Sequence, residues 1–549
     1  MLYNGRMKNN SLRAYKLLLV LCILGTTFIL FSCGGGSAKG SGAYGDFDLY
    51  RGFTAQEAEA MLFLNDESPE MFNTDEFDHI VDNPFLRPRE NPLSTFSIDV
   101  DTAGYSIVRT FLNQGSLPPK SSVRIEELIN YFDYDYPPPN DGKPFTVHAE
   151  TVISPWTPGN YLVRIAIKGK EFPAARRPPV NLTFLIDVSG SMNPPNRLPL
   201  VKTSMAMLVD ELGAQDRVAI CVYAGAAGTV LEPTTCDKKN EINAALKKLS
   251  SGGSTAGGRG IELAYNLAQK NFDPKAINRV ILCTDGDFNV GITSRSALVD
   301  LIKEKAATGV YLTILGFGMD NFHDGTMKQL AIHGKGNYGY IDNIEEANKI
   351  LVRELSGTLV SIADDVKIQI EFNPATVGAY RLIGYENRLL RAEDFNNDTV
   401  AAGIIGAGHT VTAFYEIIPP GAEADALPGV DPLKYSIPRE EREVPAAFLD
   451  ELLTVKIRYK LPGEKTSSLI SFPVKKSDIR QAGNASPDFT FAASVVAFGM
   501  LLRDSPYKGS ADFNMVQKLA ESSIGRDEYG YRKSFILLVK AAKSAKALR

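Results

Sequence analysis

Residues 181–193, NLTFLIDVSGSMN, restrict the fold more than any other stretch of the chain. Leu182, Phe184, Leu185 and Ile186 form a short apolar run, the length of a strand buried on both faces. The run delivers Asp187, Ser189 and Ser191 into a loop, and a helical pattern starts near Leu198. In an open α/β sheet, ligands bind outside the carboxyl ends of such strands. The pattern downstream repeats the unit. Strands are expected at 218–223, 229–231 (an antiparallel edge), 279–284, 311–316 and 338–341. Helices are expected at 198–212, 238–249, 258–271, 294–307, from about 326, and at 345–355. Strand–helix alternation with apolar strands predicts an α/β fold, a doubly wound and mostly parallel sheet covered on both faces.

The Asp187-x-Ser189-x-Ser191 run resembles the first motif of von Willebrand factor A (VWA) domains, where it begins a metal-ion-dependent adhesion site. Cys-Thr-Asp-Gly at 283–286 follows the apolar run 280–282 and sets Asp285 on the same sheet edge. Between them, SSGGSTAGGRG at 250–260 is a glycine-rich turn opening a helix, and Thr255 matches the threonine that VWA domains supply from such a turn. The resemblance implies a metal site of Asp187, Ser189, Ser191, Thr255 and Asp285. The three hydroxyls would touch the metal, and the aspartates would act largely through water. Oxygen donors alone suit a hard ion, Mg²⁺ first, with Mn²⁺ or Ca²⁺ as alternatives. Mg²⁺ takes six oxygens, which leaves a position for an Asp or Glu of a protein partner. Asn193 and Asp287 are candidates for the partner-binding rim, or else solvated loop residues. No nucleophile or general base stands at reactive spacing, so a binding site rather than an enzyme is expected, with no small-molecule substrate.

The chain opens with Arg6, Lys8, Arg13 and Lys16 and no acidic residue, followed by fifteen uncharged, mostly apolar residues at 17–31. That run is short for a membrane span and suits a secretory signal core. Leu30-Phe31-Ser32-Cys33 then precedes a glycine run, which resembles a bacterial lipoprotein signal cut before Cys33, the residue that would carry the lipid. An ordinary signal peptide or an uncleaved anchor are the alternatives. The expected location is the cell envelope. Gly34 in place of an aspartate favours the outer over the inner membrane of a two-membrane cell. Loss of the four cations takes the formal charge from −5 to about −9. Such an acidic chain has no electrostatic footprint for nucleic acid.

The domains expected are a signal peptide (1–32), a flexible tether (33–82), an N-terminal α+β domain (83–177), the VWA domain (178–357), a β-rich, sandwich-like domain (358–485) and a C-terminal helical segment (486–549). The words STFSIDVDTAGYSIVRTFLNQGSLPPKSSVRIEELINYFDYDYP, and those from 452 to 543, resemble the bacterial VWA lipoprotein family typified by YfbK. Runs 145–150 and 161–168 alternate like strands of a half-buried sheet. With strands expected at 366–372, 379–383, 410–418 and 453–461, they suggest one sandwich into which the VWA domain is inserted. FTFAASVVAFGMLL, apolar for fourteen residues, is too short for a span and reads as a buried helix. Cys221, Cys236 and Cys283 are expected as buried thiols, with a Cys221–Cys236 bridge as the alternative. Two rival functions remain. The protein is an envelope scaffold binding through its β-rich parts with a merely structural metal, or a metal-dependent phosphatase centred on Asp99 and Asp101. The second needs a later lysine and an acidic pair, for which Asp364 and Asp365 are the candidates. Capping of the helix from Ala103 accounts for Asp101 more simply.

Overall fold

The computed structural model describes residues 77–98, 101–171, 177–252, 257–286, 295–319, 323–422, 427 and 444–548. The signal peptide, nearly all of the tether, Cys33, Asp99, Thr255 and Asp287 lie outside them. Strand β1 (Leu93–Ser97) is followed by helices α1 (Ala103–Asn113) and α2 (Ile125–Asn130) and the hairpin β2 (Phe145–Ile153) and β3 (Tyr161–Gly169). The central domain then runs β4 (Val180–Asp187), α3 (Leu198–Glu211), β5 (Arg217–Tyr223), β6 (Ala227–Thr235), α4 (Lys239–Lys248), α5 (Gly257–Lys270) and β7 (Ile277–Thr284). It continues with α6 (Arg295–Ala306), β8 (Tyr311–Phe317), α7 (Asp324–His333), β9 (Tyr338–Ile341), α8 (Ile344–Asn348) and α9 (Leu355–Leu359). After it come β10 (Ser361–Phe372), β11 (Ala379–Ile383), β12 (Gly403–Gly406), β13 (Thr410–Ile418), β14 (Glu451–Lys460), β15 (Ser468–Lys475) and β16 (Ile479–Arg480). Helices α10 (Pro487–Arg503), α11 (Phe513–Ser522) and α12 (Tyr531–Ala547) end the described chain.

The central sheet has the order β6-β5-β4-β7-β8-β9 and is parallel except for the antiparallel edge β6. Strand β4 is buried along nearly its whole length because helices cover both faces, as its continuous apolar run requires. The remaining strands form two sheets, β1-β10-β14-β15 with β12 beside β10, and β11-β13-β3-β2-β16. Strands from before and after the central domain share both sheets. β1 pairs with β10, and β3 pairs with β13 from Thr410 opposite Lys168 to Ile417 opposite Tyr161. The central domain is therefore inserted between β3 and β10.

Phe96, Ile368, Ile370 and Val455 of the first sheet share a core with Val163, Ile165, Val411 and Tyr415 of the second. The second sheet is not half-buried, as its alternation suggested. Leu162, Ala166 and Phe414 on its other face pack under α10, together with α1, α2, α11 and α12. A helical layer covers that face. Helix α10 is buried around its circumference for this reason, and no described helix is long and apolar enough to cross a membrane. Gly499 permits its close approach to α2, since a Cβ there would stand 2.8 Å from Ile125 Cγ1. Ser486 caps its start, accepting from Phe489 N at 3.1 Å.

Two expectations are corrected. The single helix over 345–355 is broken by a π turn at Lys349–Arg353, where Glu354 N donates to Lys349 O at 2.9 Å. The side chains of Lys349 and Glu354 pair across the same five-residue spacing. Asp101 does not cap α1, whose N-cap is Thr102 with no side-chain bond. It accepts instead from Tyr338 N at 3.0 Å and from Arg388 at 3.1 Å, tying the N-terminal segment to β9 and to the loop after β11. Cys221, Cys236 and Cys283 are buried free thiols.

Candidate metal centre

Strand β4 is paired on both sides, with β5 and β7, so its last residue emerges at the middle of the sheet's carboxyl edge. That residue is Asp187, which is fully buried. Its Oδ1 accepts from Ser189 N at 2.8 Å, and Thr284 Oγ1 donates to Oδ2 at 3.5 Å. The first bond folds the chain back into the short 3₁₀ turn Gly190–Met192. In consequence the hydroxyls of Ser189 and Ser191 stand 2.9 Å apart. Ser189 is buried and Ser191 exposed, so the hydroxyl pair opens outward on one side. Burial pushes the Asp187 carboxyl up to about 6, against the pull of the Ser189 bonds and with the repulsion of Asp285 adding to it. A carboxylate held in so dry a place favours a nearby cation.

Asp285 follows the end of β7 and is also buried. Its Oδ2 accepts from Arg197 Nη1 at 2.9 Å. Gly286, at φ +92°, turns the chain away and donates to Thr284 Oγ1 at 3.1 Å. The loop after α4 reaches the same place. Gly252 N donates to Val188 O at 2.8 Å, and Ser251 Oγ to Asn193 Oδ1 at 3.1 Å. The structure thus brings Asp187, Ser189, Ser191, Asp285 and Asn193 onto one edge. Thr255, three residues beyond Gly252, and Asp287 fall outside the described residues. The described donors are hydroxyl and carboxylate oxygens, a set that fits a hard divalent cation. Among the described residues no three His, Cys, Asp or Glu side chains cluster as a metal site. The Asp187 edge stands apart from such clusters because half its donors are hydroxyls.

Two participants were not singled out from the sequence. Arg197, just before α3, is the cation that holds Asp285. Tyr223, at the end of β5, is buried with its hydroxyl toward Asp187, whose charge adds to burial in pushing the phenol well up. Gly260 of α5 leaves room for it, since a Cβ would lie 2.8 Å from Tyr223 Cβ. A lone cation between a hydroxyl turn and a helix was the signal available for Arg197, and nothing comparable marks Tyr223. The rival acidic pair has other work. Lys460 donates to Asp365 at 2.8 Å, and Ser361 donates to Asp364.

A central-strand Asp-x-Ser-x-Ser turn on a doubly wound sheet defines the class: residues 181–353 match the von Willebrand factor type A domain. Residues 357–545 match the family described as uncharacterized protein YfbK, C-terminal, and residues 71–164 match one described as von Willebrand factor. The chain is 42% identical over 468 residues to uncharacterized protein YfbK of Escherichia coli (strain K12), covering 84% of this chain and 80% of that one. It belongs to the YfbK family. It is also 30% identical over 187 residues to uncharacterized protein sll0103 of Synechocystis, covering 34% of this chain and 43% of the relative. Among solved structures it is similar to the conserved hypothetical protein BatB from Bacteroides thetaiotaomicron, at 26% identity over 32% of this chain and 97% of that one, with a TM-score of 0.28. VWA domains generally mediate protein interactions and often bind a divalent metal at such a site.

Proposed function

We propose that this protein is a binding module of the cell envelope that grips an acidic side chain of a protein partner through a divalent metal, Mg²⁺ first. The observation that carries the reading is the pair of serine hydroxyls 2.9 Å apart beside the buried Asp187. In the bound form Ser189, Ser191 and Thr255 would contact the ion, with Asp187 and Asp285 orienting them through water. The metal would supply an electrophilic position for a carboxylate. Among the described residues the serine hydroxyls bond to each other rather than to an imidazole or amine, which favours binding over nucleophilic chemistry.

A groove of about 650 Å³ runs from Asn193 and Ser251 between α3 and α4. Its walls include Leu198, Pro199, Ala206, Leu246 and Leu249, a surface suited to a polypeptide beside the carboxylate. In this reading Cys33 carries a lipid that holds the protein at a membrane, the outer one in a two-membrane cell. Asn193 and Asp287 would select the partner at the rim. Pull-down from envelope extract in Mg²⁺ and in EDTA tests the proposal. A partner retained only in Mg²⁺, and lost with Asp187→Ala, supports it. A partner retained equally in EDTA sinks it. That result would favour the scaffold reading, for which the edge strand β15 speaks: Leu469 is 52% and Phe472 36% exposed there.

A further inference from the structure

The segment after α2 reads FDYDYP at 132–137 and alternates in burial: Tyr134 and Tyr136 are buried, Asp133 and Asp135 exposed. It forms one wall of a cleft of about 620 Å³, whose other walls are β2, the start of α10 and the turn leading into α12. That volume lies within the range of small-molecule sites, about 300–1,000 Å³. The described lining comes from outside the inserted domain, so the cleft is separate from the metal edge.

The polar walls of the cleft are fixed. Glu150 accepts from Arg164 Nη2 at 2.9 Å, Arg480 Nη1 at 3.1 Å and Ser486 Oγ at 2.6 Å. Arg532 Nη2 donates to Asp488 Oδ1 at 2.6 Å and to the Asp133 carbonyl at 2.8 Å, and Asp135 N donates to Asp488 Oδ2 at 2.7 Å. Groups held by several partners keep their orientation when a ligand arrives. Aromatic rings line the same space. His148 lies parallel to Tyr136, 5.7 Å between centroids. Tyr529 is 47% exposed, with the Arg353 guanidinium 3.5 Å from its centroid.

The rim offers both kinds of hydrogen-bonding group: the carboxylates of Asp133 and Asp135 accept, and the guanidinium groups of Arg480 and Arg526 donate, all at exposed positions. A small cation would meet fixed guanidinium groups here, and a small anion fixed carboxylates. A saccharide suits both features, because its hydroxyls donate and accept while its C–H face packs on an aromatic ring. We propose that this cleft binds an oligosaccharide, with Tyr529 against an apolar sugar face and Asp133, Asp135 and Arg480 on the hydroxyls.

The test is saturation-transfer NMR of cellobiose, maltose and N,N′-diacetylchitobiose on the purified full chain, with EDTA present so that no metal takes part. At least one of them should receive saturation, chiefly on its ring C–H protons, with a dissociation constant on the order of 1 mM. Tyr529→Ala and Asp135→Ala, both at exposed positions, should each weaken that binding about tenfold, whereas Tyr529→Phe should bind as wild type does. Transfer to none of them at about 10 mM, or equal affinity in wild type and Tyr529→Ala, overturns the proposal. Spermidine or citrate displacing the saccharide at a lower concentration than its own would mark a site for a charged ligand, and overturns it as well.

Discussion

Among the described residues, the carboxyl edge of β4 and β7 gathers hydroxyl and carboxylate oxygens, with Arg197 against Asp285. At the β9 edge of the same sheet, charges are gathered and nearly all consumed. There Arg124 bonds both Glu127 and Asp324, Lys328 joins Glu127, and Tyr338 donates to Asp324 at 2.9 Å. Arg109 bonds Asp342 and Glu346, and Tyr131 donates to Glu346 at 2.8 Å. Arg124, Glu127, Asp324 and Glu346 are buried. On the proposed reading the first edge takes up a metal ion, whereas the other holds the inserted domain against α1 and α2. The difference shows why a buried charge is not by itself a site. At β9 each acid meets a fixed cation of the same chain, whereas Asp187 accepts from the Ser189 amide and the Thr284 hydroxyl.

The largest effect is expected at Arg124. Arg124→Ala leaves Glu127 and Asp324 buried without their guanidinium and should cost about 3–5 kcal/mol in urea unfolding. The Mg²⁺ affinity of whatever remains folded should be unchanged. A large change in that affinity would mean that the two edges are coupled.

At Glu126 the expected effect is on the pH dependence of stability. Burial first, and then the charge of Glu386, push its carboxyl up to about 7. The folded chain thus keeps a proton that an ordinary carboxyl, at 4.5, releases. Stability from that proton is fully present below the unfolded value and is lost as pH rises through the folded one. Glu126→Gln should flatten this slope and stabilise the protein at pH 8 by up to about 3 kcal/mol. Urea midpoints at pH 5 and 8 that keep the wild-type difference in the variant would contradict the assignment.

Ser189→Ala should remove Mg²⁺-dependent stabilisation, which at a hundredfold over the dissociation constant is roughly 2.7 kcal/mol. The thermal midpoint in Mg²⁺ less that in EDTA measures it, and a difference surviving the substitution would move the ion elsewhere. Asn193→Ala, on the exposed rim, should change stability by under about 0.5 kcal/mol and leave metal affinity alone. A larger effect would make its bond to Ser251 part of the site's frame.

How much the sequence revealed depended on how local each signal was. Strand β4 with its Asp-x-Ser-x-Ser turn was readable because apolar run, turn and helix start fall within twenty residues. The edge position of β6 followed from its weak apolar pattern, and α10 from an unbroken one. Arg197 and Tyr223 escaped notice because their roles depend on loops and strands distant in sequence, which only the sheet order brings together. Asp101 was misread for the same reason: its partners, Tyr338 and Arg388, lie more than two hundred residues away. Strand β15, mostly exposed at an edge, had no burial pattern to detect. Helix α11 did carry a signal, since Asp512 caps Met515 N ahead of Phe513, Val516 and Ala520 on one face, but ten residues made it easy to pass over.

The most direct test is titration of Mg²⁺ into the full chain beside Asp187→Ala, with both proteins shown to be folded by circular dichroism. One saturable site is expected in wild type and none in the variant. Heat that is equal in both, or absent from wild type up to millimolar Mg²⁺, would contradict it.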